Sequence, residues 1–138
     1  DSNGKATPIS AEQSKNLKAP CGVFCLDDGG TLVGDRSEFL LKRFDANGKL
    51  INQVKKEGLG FDDIYFLTSH PEHGIFGSDY WNNQIIYMNN NLEVVDIYRK
   101  QGNRTGGLGK TAGLSIHNGR LAVSNFDGRK IQIFDLPS

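Results

Sequence analysis

The chain has 138 residues, enough for one domain with a real hydrophobic core. Its 16 basic and 16 acidic side chains cancel, so bulk charge gives no pull toward a polyanion, and only a local patch could hold nucleic acid. No apolar run is long enough to cross a membrane as a helix, so no membrane role is expected.

Residues 1–18 are polar and aperiodic and read as a flexible lead-in. Residues 6–10, around Pro8-Ile9, could form a strand within it. The chain begins at Asp1 without Met, which reads as a processed or excised piece. After Pro20 the pattern changes. Strands are predicted over 21–26, 31–35, 39–45 and 50–55, separated by the turn signals Asp27-Asp28-Gly29-Gly30 and Ala46-Asn47-Gly48-Lys49. A second meander follows over 65–69, 74–79, 84–89 and 93–98. A third runs over 113–116, 120–125 and 130–135 and lacks a fourth strand. No helical periodicity rises above noise, and the chain reads as all-β.

The three units repeat one another. Residues 32–45, 76–89 and 121–135 each hold an apolar stretch, a polar turn at Asp35, Asp79 or Asn125, and a second apolar run. Each closes on a paired signature: Phe44-Asp45, Met88-Asn89 and Phe134-Asp135. The step is 44 residues from Asp45 to Asn89 and 46 from Asn89 to Asp135, the period of a propeller blade. Blades are predicted at about 19–61, 62–109 and 110–138.

Several motifs lose force inside this repeat. Gly106-Gly107-Leu108-Gly109-Lys110-Thr111 looks like a phosphate loop, but its glycine spacing fails and a strand rather than a helix follows it. It reads as an interblade link. His70 and His117 occupy equivalent turns, and His70-x-x-His73 is too short for a helix-face metal pair though feasible in a loop. No metal ligand and no cofactor is assigned. Asp27-Asp28 and Asp62-Asp63 read as turn formers, or as loop acids binding at most a weak cation. No Gly-x-Ser-x-Gly is present, and no catalytic residue is assigned.

Cys21 and Cys25, four residues apart on one strand, would lie about 13 Å apart, too far for a disulfide. They read as two small buried apolar residues. Free thiols favour the cytoplasm. Asn103-Arg104-Thr105 is a glycosylation acceptor that would matter only in a secreted chain, so the compartment stays open.

Pro20-Cys21-Gly22-Val23, then 27–35 (Asp-Asp-Gly-Gly-Thr-Leu-Val-Gly-Asp), then Phe44-Asp45-Ala46-Asn47-Gly48-Lys49-Leu50, together resemble the NHL repeat. The third unit repeats much of this in Ala112-Gly113-Leu114, 118–125 and 131–135; the second is more diverged. The resemblance covers about 17–136. It implies four-stranded blades of a β-propeller, usually six in this family, so the chain would be a three-blade half. Either the rest of the ring lies outside this chain, or two copies pair as a homodimer to close it.

In such a propeller, the turns between second and third strands share one face with the interblade links. That face would gather Arg36 and Phe39, Tyr80, Trp81, Asn82 and Asn83, Phe126 and Arg129, and Arg104 from a link. Trp, Tyr and Arg dominate protein hot spots, so a protein partner is the first expectation. Aromatics beside basic and amide groups also suit single-stranded RNA, a ligand known among NHL relatives, although Asp35, Glu38, Asp79 and Asp127 on the same face oppose it. The bland alternative packs Trp81 and Phe126 between blades. A metal-dependent lyase or hydrolase at the propeller centre is the third reading, since the related amidating lyases hold a metal with histidines.

Overall fold

A computed structural model describes residues 3–4, 15–99 and 110–137. Three antiparallel meanders form. The first comprises β1 (Pro20–Cys25), β2 (Thr31–Asp35), β3 (Phe39–Phe44) and β4 (Leu50–Lys55). The second comprises β5 (Phe66–His70), β6 (Gly74–Asp79), β7 (Gln84–Met88) and β8 (Val94–Arg99). The third comprises β9 (Thr111–His117), β10 (Arg120–Asn125) and β11 (Lys130–Asp135). Each sheet runs in sequence order, as short turns between neighbouring strands dictate. Strand ends differ from expectation by at most one residue. The exception is the start of β9, two residues earlier than expected, because pairing with β10 continues past a bulge as far as Thr111.

The repeated Phe-Asp and Met-Asn signatures are turn devices. Asp45 Oδ1 accepts the N–H groups of Asn47 and Lys49, and Asn89 Oδ1 accepts those of Asn91 and Glu93, all within 3.0 Å. The same side-chain bonds thus hold the β3–β4 and β7–β8 turns. Gly48 sits left-handed at φ 81°, and Leu92 fills the matching place at φ 62°. A leucine pays steric strain there, which its nearly complete burial in the core offsets.

The sheets pack face to face through two cores. Leu32, Leu40, Leu41, Ile64, Leu67, Ile75, Ile86, Met88 and Leu92 fill the space between the first two. Phe76, Ile85, Leu121 and Val123 fill the space between the second and third, with Tyr87 stacked on Phe76 at 4.7 Å. β1 lies against β5, and β5 against β9, so the first strand of every sheet faces a common interior line. The chain is therefore built as propeller blades. One face carries the β2–β3, β6–β7 and β10–β11 turns with the starts of β1, β5 and β9. The other carries the turns between first and second strands.

Cysteine placement corrects the expectation of two buried thiols. Cys25 is exposed and Cys21 half-buried, and neither is in a disulfide. Cys21 lies within the irregular β1–β2 pairing, and its thiol donates to the Ile64 carbonyl at 3.0 Å. Burial, and then the nearby Asp63 carboxylate, raise this thiol's pKa, which disfavours the nucleophilic thiolate.

Candidate functional site

The polar residue that ends each second strand organises the upper face. Asp35 is fully buried and accepts the backbone N–H groups of Lys18 (3.1 Å) and Ala19 (2.7 Å). It also accepts the Lys42 ammonium at 2.9 Å. Burial pushes its pKa up, but the ammonium and the two N–H groups outweigh that and hold the carboxyl below the usual range. Asp79 is its counterpart in the second blade. Its Oδ2 accepts Asp62 N–H (2.9 Å), the Asn82 amide (2.7 Å) and the Gln84 amide (3.3 Å). In the third blade Asn125 Oδ1 accepts Gly128 N–H, and its amide donates to Gln132.

Asp35 and Asp79 were expected among acids facing a ligand. Both are fully buried, so they anchor each loop to the start of its own blade rather than meeting solvent. Asp63, read as a loop acid, is also buried and pairs with Arg36 at 3.2 Å and Lys56 at 3.9 Å.

An aromatic group rises from these anchors. The Tyr80 and Trp81 rings meet edge to face at 5.1 Å and 87°, and Phe126 of the next blade lies 6.3 Å from Tyr80. The Trp81 indole N–H donates to the Tyr65 hydroxyl at 3.3 Å. Lys110, immediately before β9, places its ammonium 5.5 Å from both the Tyr80 and the Trp81 ring centres. Trp81 is 59% exposed and Phe126 67% exposed, so neither is buried between the three blades described.

The structure thus brings together Tyr80, Trp81 and Phe126. Asn82 joins them, with its amide nitrogen held between Asp62 (2.8 Å) and Asp79 (2.7 Å). Arg36 is tied to the same strip through Asp63. Phe39 turns toward Lys42 instead, 6.0 Å from its ammonium. Asn83 is half-buried in a left-handed conformation (φ 54°), and Arg129 is exposed in another (φ 50°). Arg104 lies outside the described residues, as do Asn103 and the lead-in segment 6–10.

Tyr65 was not singled out from sequence; Asp62 was read as a turn former or loop acid and Lys110 as part of an interblade link, and neither was assigned to this face. The repeat held a signal for Lys110. Arg36, after Asp35, donates its backbone N–H to the Ala19 carbonyl, and Phe126, after Asn125, donates to the Lys110 carbonyl. In the first and third blades the residue before the first strand therefore meets the residue after the second.

The opposite face holds different chemistry. One ligand atom each from His70, Glu72 and His73 lie within 4.8 Å of one another, with Glu72 the member that sequence spacing did not suggest. His70 Nδ1 already accepts the Glu72 N–H at 3.2 Å, so the turn itself uses one of these atoms. Beside it runs an open cleft of about 250 Å³, lined by Phe24, Leu26, Pro71 and Ile75 with Arg43 at its rim. The Arg43 guanidinium is already bonded to the Asn90 carbonyl (3.0 Å) and Asp28 (3.3 Å).

The sequence matches no protein-family model and no curated protein. Among solved structures, it is similar to a catalytically inactive virginiamycin B lyase from Staphylococcus aureus with quinupristin. The TM-score is 0.64 at 15% identity, over 87% of this chain and 42% of that one. A streptogramin B lyase gives 0.57 at 14% identity, over 86% and 41%. A Myxococcus xanthus glutaminyl cyclase gives 0.55 at 12%, over 86% and 47%. At such identity the likeness shows the fold alone, a β-propeller. The chain spans less than half the length of each of these structures.

Proposed function

We propose that this chain is a non-catalytic binding module of NHL-like blades that presents its aromatic face to a protein partner. One observation carries the reading. Trp81 and Phe126 are 59% and 67% exposed on adjacent blades and are joined through Tyr80 into one patch. Large exposed aromatics held on rigid strand ends lose little conformational entropy on docking and bury much area. The nearby charges are mixed, with Asp62 and Asp63 beside Arg36, Lys56 and Lys110, which suits a polypeptide better than a phosphate backbone.

Single-stranded RNA is the second reading, favoured by a lysine poised beside stackable rings. A double variant separates the two. Trp81→Ala/Phe126→Ala is expected to reduce cross-linking to a protein from source-cell extract roughly tenfold or more. Unchanged cross-linking overturns the proposal. A labelled RNA shifted at low salt by the wild-type chain and not by the variant would assign the face to RNA.

A further inference from the structure

The aromatic patch borders two carboxylates that form no ion pair among the described residues. Asp62 Oδ2 and Asp79 Oδ2 share a single amide nitrogen, that of Asn82, at 2.8 and 2.7 Å. Neither acid forms an ion pair among the described residues, whereas the adjacent Asp63 has both Arg36 and Lys56. Asp79 is fully buried, yet its Oδ1 has no hydrogen-bond partner among the described residues. A pair of carboxylates held this close raises the local negative potential and favours a cation. The rings beside them present the same preference. The perpendicular Tyr80 and Trp81 rings form a two-walled corner that already holds an ammonium, that of Lys110, at 5.5 Å from each centre.

Lys110 satisfies the rings and leaves the acids alone, since it forms no ion pair among the described residues. A compact ammonium cannot lie flat on an indole and reach a carboxylate to one side. A guanidinium can, because it stacks through its plane and donates through its edge. We propose that the Tyr80–Trp81 corner with Asp62 receives an arginine side chain of the partner polypeptide, and that Lys110 is an internal occupant which that arginine displaces. This inference rests on the protein-binding reading of the face and names what the face selects.

Trp81 is the single tryptophan of the chain, so its fluorescence reports this corner directly. The probe is acetyl-Gly-Arg-Gly-amide, set against the same peptide with citrulline, which has arginine's shape without its charge. Titration with the arginine peptide is expected to change Trp81 emission saturably, with citrulline giving none. Lys110→Met should tighten arginine binding about threefold by removing the competitor. Asp62→Asn should weaken it by about the same factor. Equal responses to arginine and citrulline overturn the inference, as does no saturable response in Lys110→Met. The face reading is tested separately: a partner lost by Trp81→Ala/Phe126→Ala while the arginine peptide stays silent removes this inference and leaves the face intact. A partner retained by that variant removes the face reading.

Discussion

Lys42→Met lowers the free energy of unfolding by about 3–5 kcal/mol, measured by urea denaturation at pH 7. The Lys42 ammonium lies 2.9 Å from Asp35 Oδ2, with side chains only 7% and 0% exposed. Lys42 also donates to the Asn16 carbonyl, fixing the chain just ahead of β1. Removing the ammonium leaves a carboxylate buried beside an apolar thioether, which costs more than the pair contributes when intact. The sign with pH follows from Asp35. Its pKa in the folded chain is lowered, so its stabilising contribution is present above the unfolded carboxylate pKa. That contribution is lost as pH falls through the folded value. The deficit of Lys42→Met therefore narrows on acidification, because a protonated Asp35 no longer needs the ammonium. Asp35→Asn/Lys42→Met should recover much of the loss at pH 7. A deficit that stays constant on acidification, or that the double variant does not reduce, contradicts this account of the pair.

That pair marks where sequence reasoning stopped. Leu40-Leu41-Lys42-Arg43 reads as an apolar strand giving way to exposed charge, and nothing local says that Lys42 is buried. Its burial depends on Asp35, seven residues earlier and on the neighbouring strand. The third blade shows the device in neutral form, with Gln132 bonded to Asn125 from the matching position. In the second blade that position is Ile86, and Gln84, directly opposite Asp79, donates instead. A periodic pattern finds the acid or amide in each blade but not its partner, because the partner changes strand position and chemistry.

What was legible came from local rules. Strand alternation and glycine turns place the strand ends to within one residue, except at the start of β9, which lies two residues earlier. Asp45 and Asn89 announce their turns because the bonds they make span only four residues. The aromatic members of the face were legible for a similar reason, since Tyr80, Trp81 and Phe126 all fall in turns that the repeat puts at one end. Lys110 was hidden by its own motif. Beside Gly109 and Thr111 it looks like part of a phosphate loop, and only the blade-to-blade packing turns it toward two rings. The His70-Glu72-His73 grouping was half visible, because a three-residue spacing says nothing about which side chains a turn folds inward.

Gly34→Ala should cost about 3 kcal/mol or more, and the reason lies in the residue ahead of each anchor. Gly34, Ser78 and Ser124 precede Asp35, Asp79 and Asn125, and all are small where a neighbouring strand or link passes closely. Ser78 donates its hydroxyl to the Ala112 carbonyl of the next blade at 3.0 Å. At Gly34 the approach is tighter. A Cβ there would overlap the Ile64 backbone oxygen and lie 3.2 Å from both the Ile64 carbonyl carbon and its Cβ. The backbone at Gly34 is not left-handed, so alanine is excluded by contact alone and not by φ. Ile64 is fully buried in the core between the first two blades and cannot retreat cheaply. Gly113→Ala is the control, since among the described residues its Cβ would meet only the Ser124 hydroxyl at 3.3 Å, a side-chain atom that can rotate away. It should cost about 1 kcal/mol or less. Equal losses in urea denaturation would refute the contact argument. The displacement also reaches the face, because Tyr65 follows Ile64 and its hydroxyl accepts the Trp81 indole N–H. In whatever fraction of Gly34→Ala remains folded, Trp81 emission should shift from its wild-type position, while in Gly113→Ala it should not.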